Sequence, residues 1–251
     1  MPGGTDQTLR PFLWRAEQLY PDTEIVSRTH AGIERYTYDE YSDRTAQLAH
    51  AMDDLDLAED ARVATFCWNH NRHFETYFGI PTTGRQLHLI NPLLPDEHIR
   101  FIVEDADDEI IFVDASLAPK LAGAAEGAGE FDDVDFVSMG SSEIDALDAT
   151  PYEEFIADRS TEYDWPDLDG DQPAGLCYTS GTTGKPKGVE YTQSMLWSHT
   201  MASQTPQGIP MEDSDVVMPV VPMFHVNAWG MPFTATAAGA KHVYPGPAPD
   251  P

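Results

Sequence analysis

Four consecutive apolar residues, Ile110-Ile-Phe-Val113, constrain this chain most. A strand with one wet face alternates apolar and polar residues. A run that is apolar at every position needs cover on both faces, as in a parallel sheet flanked by helices. Val63-Ala-Thr-Phe-Cys67, Leu87-His-Leu-Ile90 and Val134 to Met139 read as companion strands. Between them, Phe74, Tyr77 and Phe78 mark a helix that ends near Pro81. Pro95, Asp96 and Glu97 open another helix, with Ile99, Ile102, Val103 and Ala106 as its core face. Alternating strands and helices make the class α/β with a mainly parallel sheet.

The flanking segments fit that class. Leu9 to Tyr20 reads as a first helix, and Glu24 to Arg28 and Ile33 to Tyr38 as two short strands. Thr37 and Glu40 form a capping-box pattern before a helix with Tyr41, Leu48, Met52 and Leu55 on its apolar face. Residues 122–133 read as a loop or weak helix. The acidic stretch Asp158 to Gln172, with Pro166 and Gly170, reads as a linker. It divides the chain into a first α/β subdomain, 1–165, and the start of a second, 166–251. Gly175 to Tyr178 is then a short strand, Thr192 caps a helix to about Ser203, and Val216 to Val221 is a strand. Val226 to Thr236 reads as a turn and helix, and His242 to Tyr244 as a last short strand. The proline-rich end, residues 244–251, has the composition of a connector.

The chemistry concentrates in Tyr178-Thr-Ser-Gly-Thr-Thr-Gly-Lys-Pro-Lys-Gly-Val189. Gly181, Gly184 and Gly188 allow tight turns and close approach of the backbone to a ligand. Thr179, Ser180, Thr182 and Thr183 supply hydroxyls, and Lys185 and Lys187 supply positive charge across the stiff Pro186. Ammonium groups, hydroxyls and backbone N–H groups in one loop make an anion site, best suited to phosphate. The chain has only four lysines, Lys120, Lys185, Lys187 and Lys241, so half of them sit here. No carboxylate lies between Asp171 and Glu190. A Walker A loop requires Ser or Thr after its lysine, where this chain has Pro186, and the Gly-x-Gly-x-x-Gly fingerprint is absent.

A second stretch, Pro222-Met-Phe-His-Val-Asn-Ala-Trp-Gly230, gathers an imidazole, an amide and an indole just after an apolar strand. Ligands of α/β sheets bind beyond strand C-termini, although a lone histidine among aromatics is more often core. Cys67, His70 and His73 are spaced like metal ligands, but three without a fourth favour a buried cysteine and a polar helix start. Asp53-Asp54 and Asp105-Ala-Asp-Asp-Glu109 read as solvated surface, and His88 as a satisfied strand histidine.

The net charge of -29, from 43 carboxylates against 14 Lys and Arg, argues against nucleic acid or an anionic membrane as partner. It suits a salt-rich cytoplasm and a halophilic source, as does the preference for arginine over lysine. Cys67 and Cys177 alone give no disulfide framework, consistent with a reducing cytoplasm. No signal peptide is visible at the start. Residues 216–240 carry no formal charge, but Pro219, Pro222, His225, Asn227 and Pro232 exclude a membrane span.

Thr179 to Gly188 resembles the phosphate-binding signature of the adenylate-forming superfamily of acyl-CoA synthetases, luciferases and peptide-synthetase adenylation domains. Met223-Phe-His-Val-Asn-Ala-Trp-Gly230 and Tyr77 to Pro95 resemble its medium- and long-chain fatty-acyl-CoA synthetase branch. The resemblance implies the N-terminal part of the large adenylating domain, with mainly parallel sheets flanked by helices, incomplete. It implies Mg-ATP-dependent adenylation of a carboxylic acid, then transfer of the acyl group to coenzyme A. Thr179, Ser180, Gly181, Thr182, Thr183, Gly184 and Gly188 would cradle the phosphates. Lys187 would neutralise the terminal one, with Lys185 nearer the surface, and Thr182 is the candidate magnesium contact. His225 would border the carboxylate and α-phosphate, and Asn227, Trp229 and Gly230 would line the acyl pocket. The later Tyr-Gly-x-Thr-Glu segment, ribose-binding aspartate, hinge and small C-terminal domain with its lysine have no counterpart. The resemblance therefore implies a fragment inactive alone, or one half of a split enzyme. Its alternatives are a non-catalytic remnant and a ligase for an aryl or short sulfur-containing acid.

Overall fold

The computed structural model describes residues 7–29, 31–55, 57–58, 60–140, 146–179 and 184–247. Helix α1 (Arg10–Leu19) opens the described chain, and strands β1 (Glu24–Thr29) and β2 (Gly32–Thr37) follow as an antiparallel pair. Helix α2 (Tyr38–Asp53) starts at Thr37, whose Oγ1 accepts from the Glu40 amide while the Glu40 carboxylate accepts from the Thr37 amide. This reciprocal cap satisfies two donors that a helix start otherwise leaves open.

The alternating region then runs β3 (Arg62–Phe66), α3 (Asn71–Gly79), β4 (Gln86–Leu89), α4 (Asp96–Ala106), β5 (Asp108–Asp114), α5 (Ala118–Ala125) and β6 (Asp135–Met139). A short strand β7 (Thr150–Pro151) and a one-turn helix α6 (Tyr152–Ile156) follow. Residues 158–172 form neither helix nor strand, yet they are fastened down: Tyr163 donates to Asp53, and Trp165 lies under the Arg10 guanidinium. Beyond them come β8 (Pro173–Thr179), β9 (Lys187–Thr192), α7 (Gln193–Ser203), β10 (Val216–Val217), α8 (Met231–Ala238) and β11 (Lys241–Tyr244). Thr192 caps α7 by accepting from the Met195 amide.

Two sheets result. The larger has the order β7-β6-β5-β3-β4-β8-β9, parallel throughout except for the β8–β9 pair. Alternate residues of β3 and β5 enter opposite cores. Val63, Cys67, Ile110 and Phe112 join the core under α1–α3, whereas Ala64, Phe66, Ile111 and Val113 join the core under α4 and α5. The smaller sheet, β10-β11-β1-β2, pairs the start of the chain with its end. Strands on either side of residue 165 therefore share both sheets.

Helix α3 binds the two sheets together. Phe74 stacks on Tyr41 at 4.5 Å and lies 4.5 Å from the His242 ring of β11. Next to it, the buried Glu75 carboxylate accepts from Arg44, Tyr36 and Tyr152 at 2.9, 3.0 and 2.7 Å. A buried carboxylate is tolerable only when so fully hydrogen-bonded.

Two expectations change. A helix begins at Ala118, ahead of the weak stretch expected at 122–133. The apolar run from Val216 to Val221 forms a strand only over Val216–Val217, because Pro219 lacks an amide for the ladder.

Candidate active site

The phosphate-like loop is the tip of an edge hairpin. β8 enters with Ala174 to Cys177 buried, and β9 leaves antiparallel, so that Thr179 pairs with Lys187 and Tyr178 with Gly188. Ser180, Gly181, Thr182 and Thr183 lie outside the described residues. The sequence stretch that reads as loop to Gly188 is thus already strand from Lys187 onward. Gly184 has φ +109°, a conformation that a side chain would strain. Thr179 and Lys187 are exposed at the mouth of the hairpin. Lys185 turns outward, with Nζ 4.4 Å from the centre of the Phe101 ring on α4, and Pro186 beside it is buried.

Tyr178 is gripped on three sides. Its ring lies 5.2 Å from His88, and its hydroxyl donates to Asp105 at 2.7 Å. Across the ladder, a Cβ at Gly188 would stand 3.3 Å from the tyrosine ring, so glycine makes room for Tyr178. Burial, reinforced by Asp105, raises the phenol's pKa. The acidic stretch 105–109 is accordingly not a uniformly solvated face. Asp108 is buried and accepts a hydrogen bond from His88 Nδ1 at 2.8 Å, and burial raises its carboxyl pKa. His88 Nε2 has no hydrogen-bond partner among the described residues. The satisfied histidine expected from sequence is satisfied on one nitrogen only.

The second stretch arrives at the same place by a different route. Asn69, just after β3, holds it with one carboxamide: Nδ2 donates to the Pro219 and Val221 carbonyls at 2.9 Å, and Oδ1 accepts from the Met223 amide at 2.7 Å. Tyr77 adds a 2.7 Å bond to the Met223 carbonyl. Beyond His225 the backbone winds left-handed, with φ of 48°, 53°, 47° and 57° at Val226, Asn227, Ala228 and Trp229 and 74° at Gly230. For non-glycine residues this costs roughly 1–2 kcal/mol each. The turn packs against β8, presenting the Val226 and Asn227 amides to the Cys177 sulfur. Burial pushes the Cys177 thiol up to about 12, so it stays protonated.

His225 is exposed, Trp229 is 58% exposed, Asn227 is buried beneath the turn, and Gly230 lies against the His199 ring, which a Cβ would meet at 2.6 Å. The structure therefore brings the end of β8 and the 225–230 turn together through Cys177. Sequence reasoning missed Asn69. Its signal was faint, a single amide in the stretch read for possible metal ligands. Those ligands point to separate partners: Cys67 donates to the Phe112 carbonyl, His70 Nδ1 accepts from the His73 amide, and the His73 ring bonds Thr65 and the Trp68 carbonyl. Among the described residues no group of three or more His, Cys, Asp or Glu is placed to hold a metal ion. Among them too, no helix is long and apolar enough to cross a membrane.

Comparison with known proteins identifies the family and the fold. The chain is 40% identical over 239 residues to the 3-methylmercaptopropionyl-CoA ligase of Ruegeria pomeroyi, covering 92% of this chain and 44% of that protein. It is also 40% identical to the long-chain-fatty-acid–CoA ligase of Thermus thermophilus, covering 96% and 43%. The crystal structure of the anthranilate CoA ligase AuaEII in complex with anthranoyl-AMP superposes with a TM-score of 0.81 at 18% identity, over 96% of this chain and 45% of that one, and so shares its fold. The chain thus spans less than half the length of these relatives. Residues 13–251 match the family described as AMP-binding enzyme, and the chain belongs to that family.

Proposed function

We propose that this chain supplies the phosphate-handling part of an ATP-dependent acid–thiol ligase, which adenylates a carboxylic acid and passes the acyl group to coenzyme A. The observation that carries this reading is the meeting of the end of β8, which leads into the loop, with the 225–230 turn over Cys177. The sequence that follows β8 is rich in donors for phosphate oxygens, and the neighbouring turn offers an exposed imidazole and indole for an acid.

The physical problem is charge. An acid carboxylate must reach the α-phosphate of a polyanion, and pyrophosphate must leave. Donors and cations held in place stabilise that transition better than mobile water does. In this reading Thr179, Ser180, Gly181, Thr182, Thr183, Gly184 and Gly188 cradle the phosphates, and Lys187 sits against the terminal one. Lys185, turned onto Phe101, serves the loop's outer side. His225 faces the reacting carboxylate and α-phosphate, and Asn227, Trp229 and Gly230 shape the acyl pocket. Magnesium, with Thr182 as its protein contact, would neutralise phosphate charge. The donor set suits such a ligand: no carboxylate interrupts the sequence between Asp171 and Glu190. The division at residue 166 is proposed as one of role, scaffold before it and phosphate handling after it.

The share of the relatives' length that the chain spans supports a further part of the proposal. Alone, residues 1–251 bind Mg-ATP or pyrophosphate weakly and form no acyl-CoA, and the reaction depends on a C-terminal half like that of the relatives. Calorimetry in molar salt with magnesium should give pyrophosphate binding that Lys187→Ala abolishes. Equal binding by both proteins would refute the assignment of Lys187, and acyl-CoA formation by the chain alone would refute its dependence on a second half.

Fatty acids are the proposed substrates. The identity to a 3-methylmercaptopropionyl-CoA ligase favours a short sulfur-containing acid as a second reading. ATP–pyrophosphate exchange with palmitate, octanoate and 3-methylmercaptopropionate would separate the two, with the chain supplemented by the remainder of the Thermus thermophilus relative. The net charge of -29 and two buried free cysteines support a salt-rich, reducing cytoplasm as its setting. Loss of the circular dichroism signal at low salt is expected, and an unchanged spectrum from low to molar salt would count against a halophilic source.

A further inference from the structure

Helix α4 touches both legs of the β8–β9 hairpin. On the incoming leg, the Tyr178 hydroxyl donates to Asp105 at 2.7 Å. On the outgoing leg, Lys185 Nζ sits 4.4 Å from the Phe101 ring centre. Phe101 and Asp105 are four residues apart, one turn of the same helix side. The inward side of α4, Ile99, Ile102, Val103 and Ala106, is buried in the core, so the helix itself cannot shift without breaking that packing. An edge hairpin has a ladder on one side only and needs some other restraint on its open side. Here that restraint comes from two side chains of α4.

The geometry points to Phe101 and Asp105 as positioning residues for the phosphate loop: together they fix the separation and direction of its two legs. This rests on the reading of that loop as phosphate-binding. Both residues contact the hairpin itself. Asp105 accepts from the hydroxyl of Tyr178, and Phe101 holds the ammonium of Lys185 on the outer side, which leaves Lys187, exposed where the ladder ends, as the lysine for a phosphate. Legs already held when a phosphate arrives need less ordering on binding, and affinity rises accordingly.

The test uses the whole 251-residue chain in molar salt. Amide exchange at Thr179, Gly184, Lys185 and Lys187 is followed by NMR, and magnesium pyrophosphate affinity by calorimetry. Phe101→Leu removes the ring face while keeping apolar bulk, Asp105→Ala removes the acceptor, and Phe101→Tyr restores the ring. Leu and Ala variants should each speed exchange in the hairpin while α4 exchange stays unchanged. Each should weaken pyrophosphate binding roughly two- to fivefold, the weight of one exposed cation–π contact or hydrogen bond. Phe101→Tyr should restore both readouts. Unchanged hairpin exchange in either folded variant overturns the proposal, as does faster exchange with unaltered affinity. If the unsubstituted chain binds no pyrophosphate while exchange still responds, the phosphate reading falls and the anchoring stands.

Discussion

β5 and β9 belong to one sheet and differ in almost everything else. Ile110, Ile111, Phe112 and Val113 of β5 are fully buried, with ladders on both sides and a helical layer on each face. Lys187, Gly188, Val189 and Glu190 of β9 are all exposed, and among the described residues β9 pairs with β8 alone. The comparison shows how stability and chemistry are divided. The inner strands bury enough surface to hold the fold, and the outermost strand β9, exposed from Lys187 to Glu190, is left to present charge. Its charged residues also discourage further pairing at an open edge.

The largest effect should come from breaking the inner strand. Phe112 lies 5.7 and 6.1 Å from the rings of Phe155 and Tyr152. Phe112→Ala should cost about 3–5 kcal/mol, read as a lower urea midpoint in molar salt. Acid should act on the same buried side. Burial holds His73 and His242 neutral, with pKa values of about 3 in the fold. Unfolded, each takes a proton near pH 6.5. The unfolded state thus binds more protons below that pH, and stability falls as pH drops from about 6.5 toward 3, by up to ~1.4 kcal/mol per pH unit for each histidine. His242→Asn should flatten the slope of unfolding free energy between pH 6 and 4, and an unchanged slope would exclude this origin.

Smaller effects sharpen the comparison on the side of the site. Val226 is β-branched and held at φ 48°. Val226→Asn, a residue that tolerates left-handed backbone, should stabilise by about 1 kcal/mol, seen as a raised melting temperature. A lowered temperature would mean that the valine side chain contributes more than its backbone costs. Smallest of all, Lys187→Ala should change unfolding free energy by less than about 0.5 kcal/mol while removing pyrophosphate binding. A large loss of stability would erase the distinction between the two strands.

Much of the scaffold was legible because its signals are local. The capping pair Thr37 and Glu40, the cap at Thr192, the core face of α4 and the apolar run of β5 each announce themselves within a few residues. β9 was not legible, since an exposed edge strand carries no apolar alternation and is defined by what it pairs with. Asp108 looked like one acid among several, and its burial depends on His88, twenty residues earlier in the chain and two strands away. Tyr152–Ile156 was too short to leave a periodic pattern.

By itself, the sequence determined the α/β class, the order of most elements, and the place where hydroxyls, glycines and lysines gather. These follow from apolar periodicity, capping chemistry and composition, which act within single turns or strands. Only the tertiary structure decided that Lys187 begins a strand, that Lys185 turns to Phe101, that Asn69 holds the Pro219–Met223 segment, and that Val226 to Trp229 wind left-handed above Cys177. Each of these depends on partners far apart along the chain, and such contacts form only when the fold has already brought the segments together.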